Sequence, residues 1–141
     1  MSTYTHEKPF SVLIADDDPG CRDVLREIVE PEGYRTLLAS SGEEALDIVQ
    51  QEPVHLALFD MHMRQLTGLE TVQLAHQFNS LLPCILVTAD ATEELMRQAF
   101  HVRAYSVIPK PVSPRILLYT MVRALMKAYG KLRRDEDETK E

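Results

Sequence analysis

The stretch Phe10-Ser-Val-Leu-Ile-Ala-Asp-Asp-Asp-Pro-Gly20 sets an apolar run directly against three carboxylates. Phe10 to Ala15 is rich in strand formers and nearly continuous in apolar residues, the pattern of a strand buried on both faces. It stops abruptly at Asp16-Asp17-Asp18-Pro19-Gly20. Asp18 is placed to cap a following helix, and Pro19 suits its first turn. Val24, Leu25, Ile28 and Val29 then recur at helical spacing, and Glu32-Gly33 closes that helix.

The same alternation continues down the chain. Tyr34 to Ala39 reads as a second strand. Ser40 or Ser41 caps a helix carrying Ala45, Leu46, Ile48 and Val49, and Glu44 fits a capping box with Ser41. Glu52-Pro53 breaks the chain. Val54 to Phe59 is a third strand that stops at Asp60, and a loop runs from Met61 to Gly68. The next helix carries Leu69, Val72, Ala75 and Phe78. Pro83 to Val87 is a fourth strand ending at Thr88, and Thr92 opens a helix with Leu95, Met96, Ala99 and Phe100. Tyr105 to Ile108 is a fifth strand ending at Pro109-Lys110-Pro111. Ser113-Pro114 starts a last helix, and a charged, frayed tail is expected from about Lys131. Five strand–helix units with continuous apolar strands imply an α/β fold, (βα)5, with a parallel sheet covered on both faces. Right-handed crossovers make it doubly wound.

The chain has 141 residues, 45% hydrophobic and 26% charged, which fits one globular domain. The boundaries expected are an N-terminal extension over 1–9, the domain over 10–129 and a charged tail over 130–141. The formal net charge of −7 disfavours nucleic acid as a direct partner. Lys127 to Arg134 is a basic cluster, diluted by acids from Asp135 onward, and reads as a solvated helix end. Cys21 and Cys84 have no metal-like spacing and suggest buried thiols in a reducing compartment. Met1 to Pro9 has no apolar core of a signal peptide, and no run approaches a membrane span. The cytoplasm is the expected location, with no membrane partner.

What ends each strand carries the chemistry. Asp16-Asp17, Asp60, Thr88 and Lys110 all fall at the carboxyl ends of parallel strands, where ligands sit in such folds. Three carboxylates, a hydroxyl and an ammonium therefore converge. Clustered carboxylates repel, and Mg²⁺ with its preference for oxygen ligands relieves that repulsion. Asp17 and Asp60 are candidate direct ligands, Asp16 a direct or water-mediated one, and a backbone carbonyl after Asp60 completes the set. A carboxylate beside such a metal can attack phosphorus, giving an aspartyl phosphate. The metal, Lys110 and the Thr88 hydroxyl would then stabilise charge on the phosphoryl oxygens.

At this point the chain resembles the receiver domains of two-component response regulators, from about Ser11 to Tyr129. Ile14-Ala15-Asp16-Asp17-Asp18-Pro19 with Arg22 is similar to the family's acidic-pair loop. Leu58-Phe59-Asp60-Met61-His62-Met63 with Gly68 is similar to its phosphoacceptor segment, and Val87-Thr88-Ala89 and Lys110-Pro111 to its other two signatures. The resemblance implies a flavodoxin-like sheet in the order 2-1-3-4-5. It implies Asp60 as phosphoacceptor and Mg²⁺ on Asp16, Asp17, Asp60 and the His62 carbonyl. It implies Thr88 as sensor, Lys110 as ion-pair partner and a cis Lys110-Pro111 peptide. The side chains of His62 and Asp90 fall where the family tunes hydrolysis. The implied donor is a histidine kinase or phosphotransfer protein. The implied output is contact with a downstream protein, or phosphorelay, through the surface of helix four, strand five and helix five. A monomer or a weak dimer through that face is expected, with no enzymatic activity beyond self-phosphorylation from a donor and self-dephosphorylation. The stretch after Tyr129 is shorter than the about 50 residues another domain needs, so a single-domain regulator is expected.

Two positions depart from the family pattern. Arg64 stands where Pro is common, and Val107 stands where an aromatic switch residue is usual. Tyr105 lies two residues before Val107, on the same strand face by period-two alternation, and is the candidate substitute. Two other functions are weighed against this one. A pseudo-receiver would bind partners without phosphorylation, against which stands the complete set Asp16, Asp17, Asp60, Thr88 and Lys110. A small aspartate-nucleophile phosphatase would use the Asp16/Asp18 spacing, but no insert for substrate specificity is present.

Overall fold

The structure, a computed structural model, describes residues 9–139, with side chains described through 130. Most of the expected extension over 1–9 lies outside the described residues. Five parallel strands, β1 (Ser11–Ala15), β2 (Arg35–Ala39), β3 (Leu56–Asp60), β4 (Cys84–Thr88) and β5 (Ser106–Pro109), form one sheet in the order β2-β1-β3-β4-β5. Between and after them run α1 (Pro19–Val29), α2 (Gly42–Gln51), α3 (Gly68–Phe78), α4 (Glu93–His101) and α5 (Pro114–Thr139). This is the doubly wound, flavodoxin-like (βα)5 architecture.

Strand side chains alternate between two cores. Leu13, Ala57, Phe59 and Leu86 face one layer with Ala45 of α2, Val72 and Ala75 of α3 and Ala99 of α4. Val12, Ile14, Leu56, Leu58, Ile85 and Ile108 face the other with Leu25 and Val29 of α1 and Leu117, Met121 and Ala124 of α5. Strands β1, β3 and β4 are buried along their whole length. That explains their unbroken apolar sequences: with helices on both faces no position is left for a solvated side chain. Each fully buried Leu, Ile or Phe contributes about 1.5–3 kcal/mol relative to exposure.

Local chemistry sets the helix boundaries. Asp18 caps α1 by accepting from the Gly20 N–H at 2.9 Å, with Pro19 in the first turn. Gly33 takes φ 96°, a left-handed conformation that suits glycine, and turns the chain into β2. Ser41 caps α2 by accepting from the Glu44 N–H, but the Glu44 carboxylate returns to the Ser40 N–H rather than to Ser41. The expected box is therefore shifted by one residue. The reciprocal box is at α3, between Thr67 and Glu70. The Thr67-Gly68-Leu69-Glu70 spacing carried that signal.

Two expectations about the C-terminal half change. Helix α5 continues to Thr139, through the stretch expected to be a frayed tail. No proline follows Pro114, and the charged run is built mostly from good helix formers. Tyr105 does not share a face with Val107. Strand β5 begins at Ser106, so the alternation does not reach back to Tyr105. Tyr105 packs on the α1–α5 side and Val107 on the opposite side, near α4. The Lys127 ammonium lies 6.0 Å from the Tyr105 ring centre, over its face.

Candidate functional site

Register is what brings the acids together. Ala15 pairs with Phe59 across β1 and β3, so Asp16 and Asp60 are the next residues along neighbouring strands. Asp60 pairs with Val87, and Thr88 with Pro109, which brings Thr88 and Lys110 to the same edge. One ligand oxygen from each of Asp16, Asp17 and Asp60 lies within 4.8 Å of the others.

Each side chain is held by its own strand end. Asp16 is fully buried. Its N–H donates to the Ala39 carbonyl at 3.1 Å, and its Oδ1 accepts from the Asp18 N–H at 2.9 Å. Arg22 reaches back from α1 and donates to the Asp16 carbonyl at 2.8 Å. The sequence marked Arg22 only as part of the acidic-pair motif, and its bracing of the Asp16 carbonyl was not read there. Asp17 is half-exposed and Asp60 buried. Lys110 follows β5, its N–H donating to the Thr88 carbonyl at 2.8 Å, and its Lys110-Pro111 peptide is cis. The Lys110 ammonium stands 3.0 Å from Asp60 Oδ1 and 3.5 Å from Asp16 Oδ2. Thr88 is fully buried, and its hydroxyl accepts from the Asp90 N–H at 3.1 Å.

The electrostatics follow from that packing. Burial pushes the Asp16 carboxyl above its ordinary value; the Asp18 N–H opposes the rise, the Asp60 charge adds to it and Lys110 opposes it. For Lys110 burial works against the charge. Its hydrogen bond to Asp60 and the negative charges of Asp16 and Asp60 outweigh that, and hold the ammonium above the usual lysine range. One ammonium faces three carboxylates, so the pocket retains a negative excess. A hard divalent cation with oxygen ligands matches that donor set.

The loop after Asp60 is tied at both ends. The Met61 N–H donates to the Val87 carbonyl and the Gly68 N–H to the Met61 carbonyl, both at 2.9 Å. Met63 plugs into the core, while His62 and Arg64 are exposed and Gln65 takes φ 67°. Met63 stands in the phosphoacceptor-like segment of the sequence, but its burial was not read there. Gly68 is required by close approach: a Cβ there would sit 2.7 Å from the Asp60 carbonyl oxygen. Asp90 is exposed at the turn after β4. Tyr105 lies at the other end of the sheet, before β5, so the structure does not bring it to the Thr88 edge. Both cysteines are free; Cys84 is buried, which pushes its thiol up to about 12, but Cys21, expected to be buried too, is partly exposed on the first turn of α1.

A parallel (βα)5 sheet whose carboxyl edge gathers an acid cluster with a threonine and a lysine defines a class of α/β domain. The model of the response regulator receiver domain matches residues 12–122. This chain belongs to that family. It is 30% identical over 119 residues to Response regulator RR06 of Streptococcus pneumoniae serotype 2 (strain D39 / NCTC 7466), covering 84% of this chain and 54% of that protein. It is 33% identical over 118 residues to the transcriptional regulatory protein YvrH of Bacillus subtilis (strain 168), covering 83% and 49%. The chain spans about half the length of these curated relatives. Among solved structures, a CheY-like response regulator receiver domain protein from Methanospirillum hungatei JF-1 superposes with a TM-score of 0.83 at 31% identity, covering 88% of this chain and 99% of that one. Receiver domains as a family are phosphorylated on an aspartate, generally bind Mg²⁺ and interact with histidine kinases or phosphotransfer proteins. No helix among the described residues is long and apolar enough to cross a membrane.

Proposed function

We propose that the chain accepts a phosphoryl group on Asp60 from a phosphohistidine of a histidine kinase or phosphotransfer protein, and signals by the change this makes in protein contacts. The observation that carries the reading is the 3.0 Å approach of the Lys110 ammonium to Asp60 inside a pocket with two further carboxylates.

Asp16, Asp17, Asp60 and the His62 carbonyl are the residues that would hold Mg²⁺. When bound, the ion supplies charge neutralisation for the acids and for the incoming phosphoryl oxygens. The protein's own groups do the rest. Asp60 sits at the end of a buried strand and is itself buried, with 5% of its surface exposed. Its oxygen attacks phosphorus, the P–N bond to the donor imidazole breaks as the P–O bond forms, and the imidazole leaves with the electron pair. Lys110 is placed to follow the charge from carboxylate to phosphoryl oxygen. Thr88 is one residue past the Asp60 register, and its hydroxyl is held by the Asp90 N–H near where a phosphoryl oxygen would arrive. His62 and Asp90, both exposed and each two residues past a strand-end site residue, would affect the water that attacks the acyl phosphate.

Val107 replaces the family's aromatic, and Tyr105 is packed against α5 instead. Coupling from Thr88 therefore runs through the α4 side of β5 and not through an aromatic rotamer. Beryllofluoride with Mg²⁺ should shift the amide resonances of Asp60, Thr88, Lys110 and the α4 start. Retention of those shifts in Asp60→Asn, or with EDTA present, would overturn the reading.

A further inference from the structure

Charge is divided very unevenly along this acidic chain. Residues 96–134 hold 9 of its 15 lysines and arginines and none of its 22 acids. The segment supplies the end of α4, all of β5 and most of α5. At the edge of the sheet opposite Asp60 the end of α4, the turn between α4 and β5, and α5 meet the turn before β4 and enclose a groove of about 820 Å³. Its apolar walls include Leu81 and Phe100, which are 83% and 80% exposed, and Tyr105 lines it as well. Arg103, Lys127 and His101 stand around them, and among the described residues no acid lines the groove. Neither Arg103 nor Lys127 has an ion-pair partner among the described residues.

Arg103 is the more telling of the two cations. Helix α4 ends in a Schellman turn: the Arg103 N–H donates to the Phe100 carbonyl at 3.0 Å and the Ala104 N–H to the Ala99 carbonyl at 2.9 Å. The residue at the turn takes φ 61°, where glycine is normally found. Here it is arginine, held in a strained conformation at the rim of an apolar groove. Strain retained at one residue is a pointer to use.

We propose that this groove docks an acidic segment of a partner protein, with an aromatic or leucine side chain seated between Leu81 and Phe100 and carboxylates on Arg103 and Lys127. The site is concave and apolar with cations at its rim, which fits an amphipathic acidic peptide. A nucleic acid needs a row of phosphate contacts, which two permanent cations do not provide. A lipid surface is not complementary to a concave site. The inference does not depend on phosphorylation of Asp60.

The test is fluorescence anisotropy with a labelled 12-residue helical probe (Asp and Glu flanking one Phe and one Leu on a single face), with amide shifts mapping where it binds. Saturable binding at the groove is expected, weakening with salt and lost by about tenfold or more in Arg103→Glu/Lys127→Glu, which corresponds to about 1.4 kcal/mol. Arg103→Gly is the decisive variant: it should raise the melting temperature by relieving the strained turn and still weaken the probe. Four results would overturn the proposal. They are no binding at millimolar probe, equal binding of a probe with Lys in place of each acid, tighter binding of single-stranded RNA or phosphatidylserine vesicles, and a dimer in sedimentation that the double variant dissolves.

Discussion

Lys110 Nζ lies 3.0 Å from Asp60 Oδ1, joining the ends of two strands that are not neighbours in the sheet. The pair is three-quarters or more removed from solvent on both sides, with side-chain exposures of 24% and 7%. A cation placed there compensates a carboxylate before phosphorylation and a phosphoryl group after it.

Removing that cation should therefore cost stability as well as function. Lys110→Met is expected to lose about 1.5–3 kcal/mol at pH 7, the range for a charge-assisted hydrogen bond. The folded state raises the lysine above 10.5, so its contribution is fully present below that pH and is lost as pH rises through the folded value. Urea unfolding of both proteins at pH 7 and above pH 10.5 checks this. The gap between them should narrow only in the alkaline range. An equal gap at both would place the ammonium's contribution elsewhere.

Asp16 works in the opposite direction. Its folded carboxyl is raised above 3.8 by burial, so the native state binds more protons between that value and the folded one. Stability of the metal-free protein should fall as pH rises through that window. Asp16→Asn is then expected to raise the melting temperature without metal and to remove the stabilisation by Mg²⁺, about 2.7 kcal/mol at a hundredfold excess over Kd in the parent. Melting curves with and without Mg²⁺ decide it. A destabilised variant that still responds fully to Mg²⁺ would contradict the assignment.

Gly68 guards the position of Asp60. A Cβ there would meet the Asp60 carbonyl oxygen at 2.7 Å and the Met61 Cα at 2.9 Å, both backbone atoms that cannot swing aside. Gly68→Ala should destabilise the domain by about 1–3 kcal/mol and displace the Asp60 end of β3. Denaturant melts and amide shifts at Asp60 and Met61 report the two effects. A neutral substitution would mean that this loop yields more easily than its hydrogen bonds suggest.

The convergence at the sheet edge was legible because buried parallel strands are written as unbroken apolar runs, so Asp16 and Asp60 stand out where each run ends. The residue-level division of labour was less so. That Asp16 is fully buried and Asp17 half-exposed depends on where β1 stops against β2. The face of Tyr105 was misjudged because β5 starts one residue later than its apolar pattern, which breaks the alternation the reading relied on. Arg22, Met63 and the groove at the opposite edge depend on contacts between distant segments, which periodicity does not carry. The acid-free run from Met96 to Arg134 was present in the sequence, but overall net charge concealed it.

The most direct measurement is intact mass after incubation with acetyl phosphate and Mg²⁺, beside Asp60→Asn and an EDTA control. The account predicts one added phosphoryl group on the parent protein, and none on Asp60→Asn or in EDTA. A folded parent that takes no phosphoryl group, or an adduct that persists in Asp60→Asn, would contradict it.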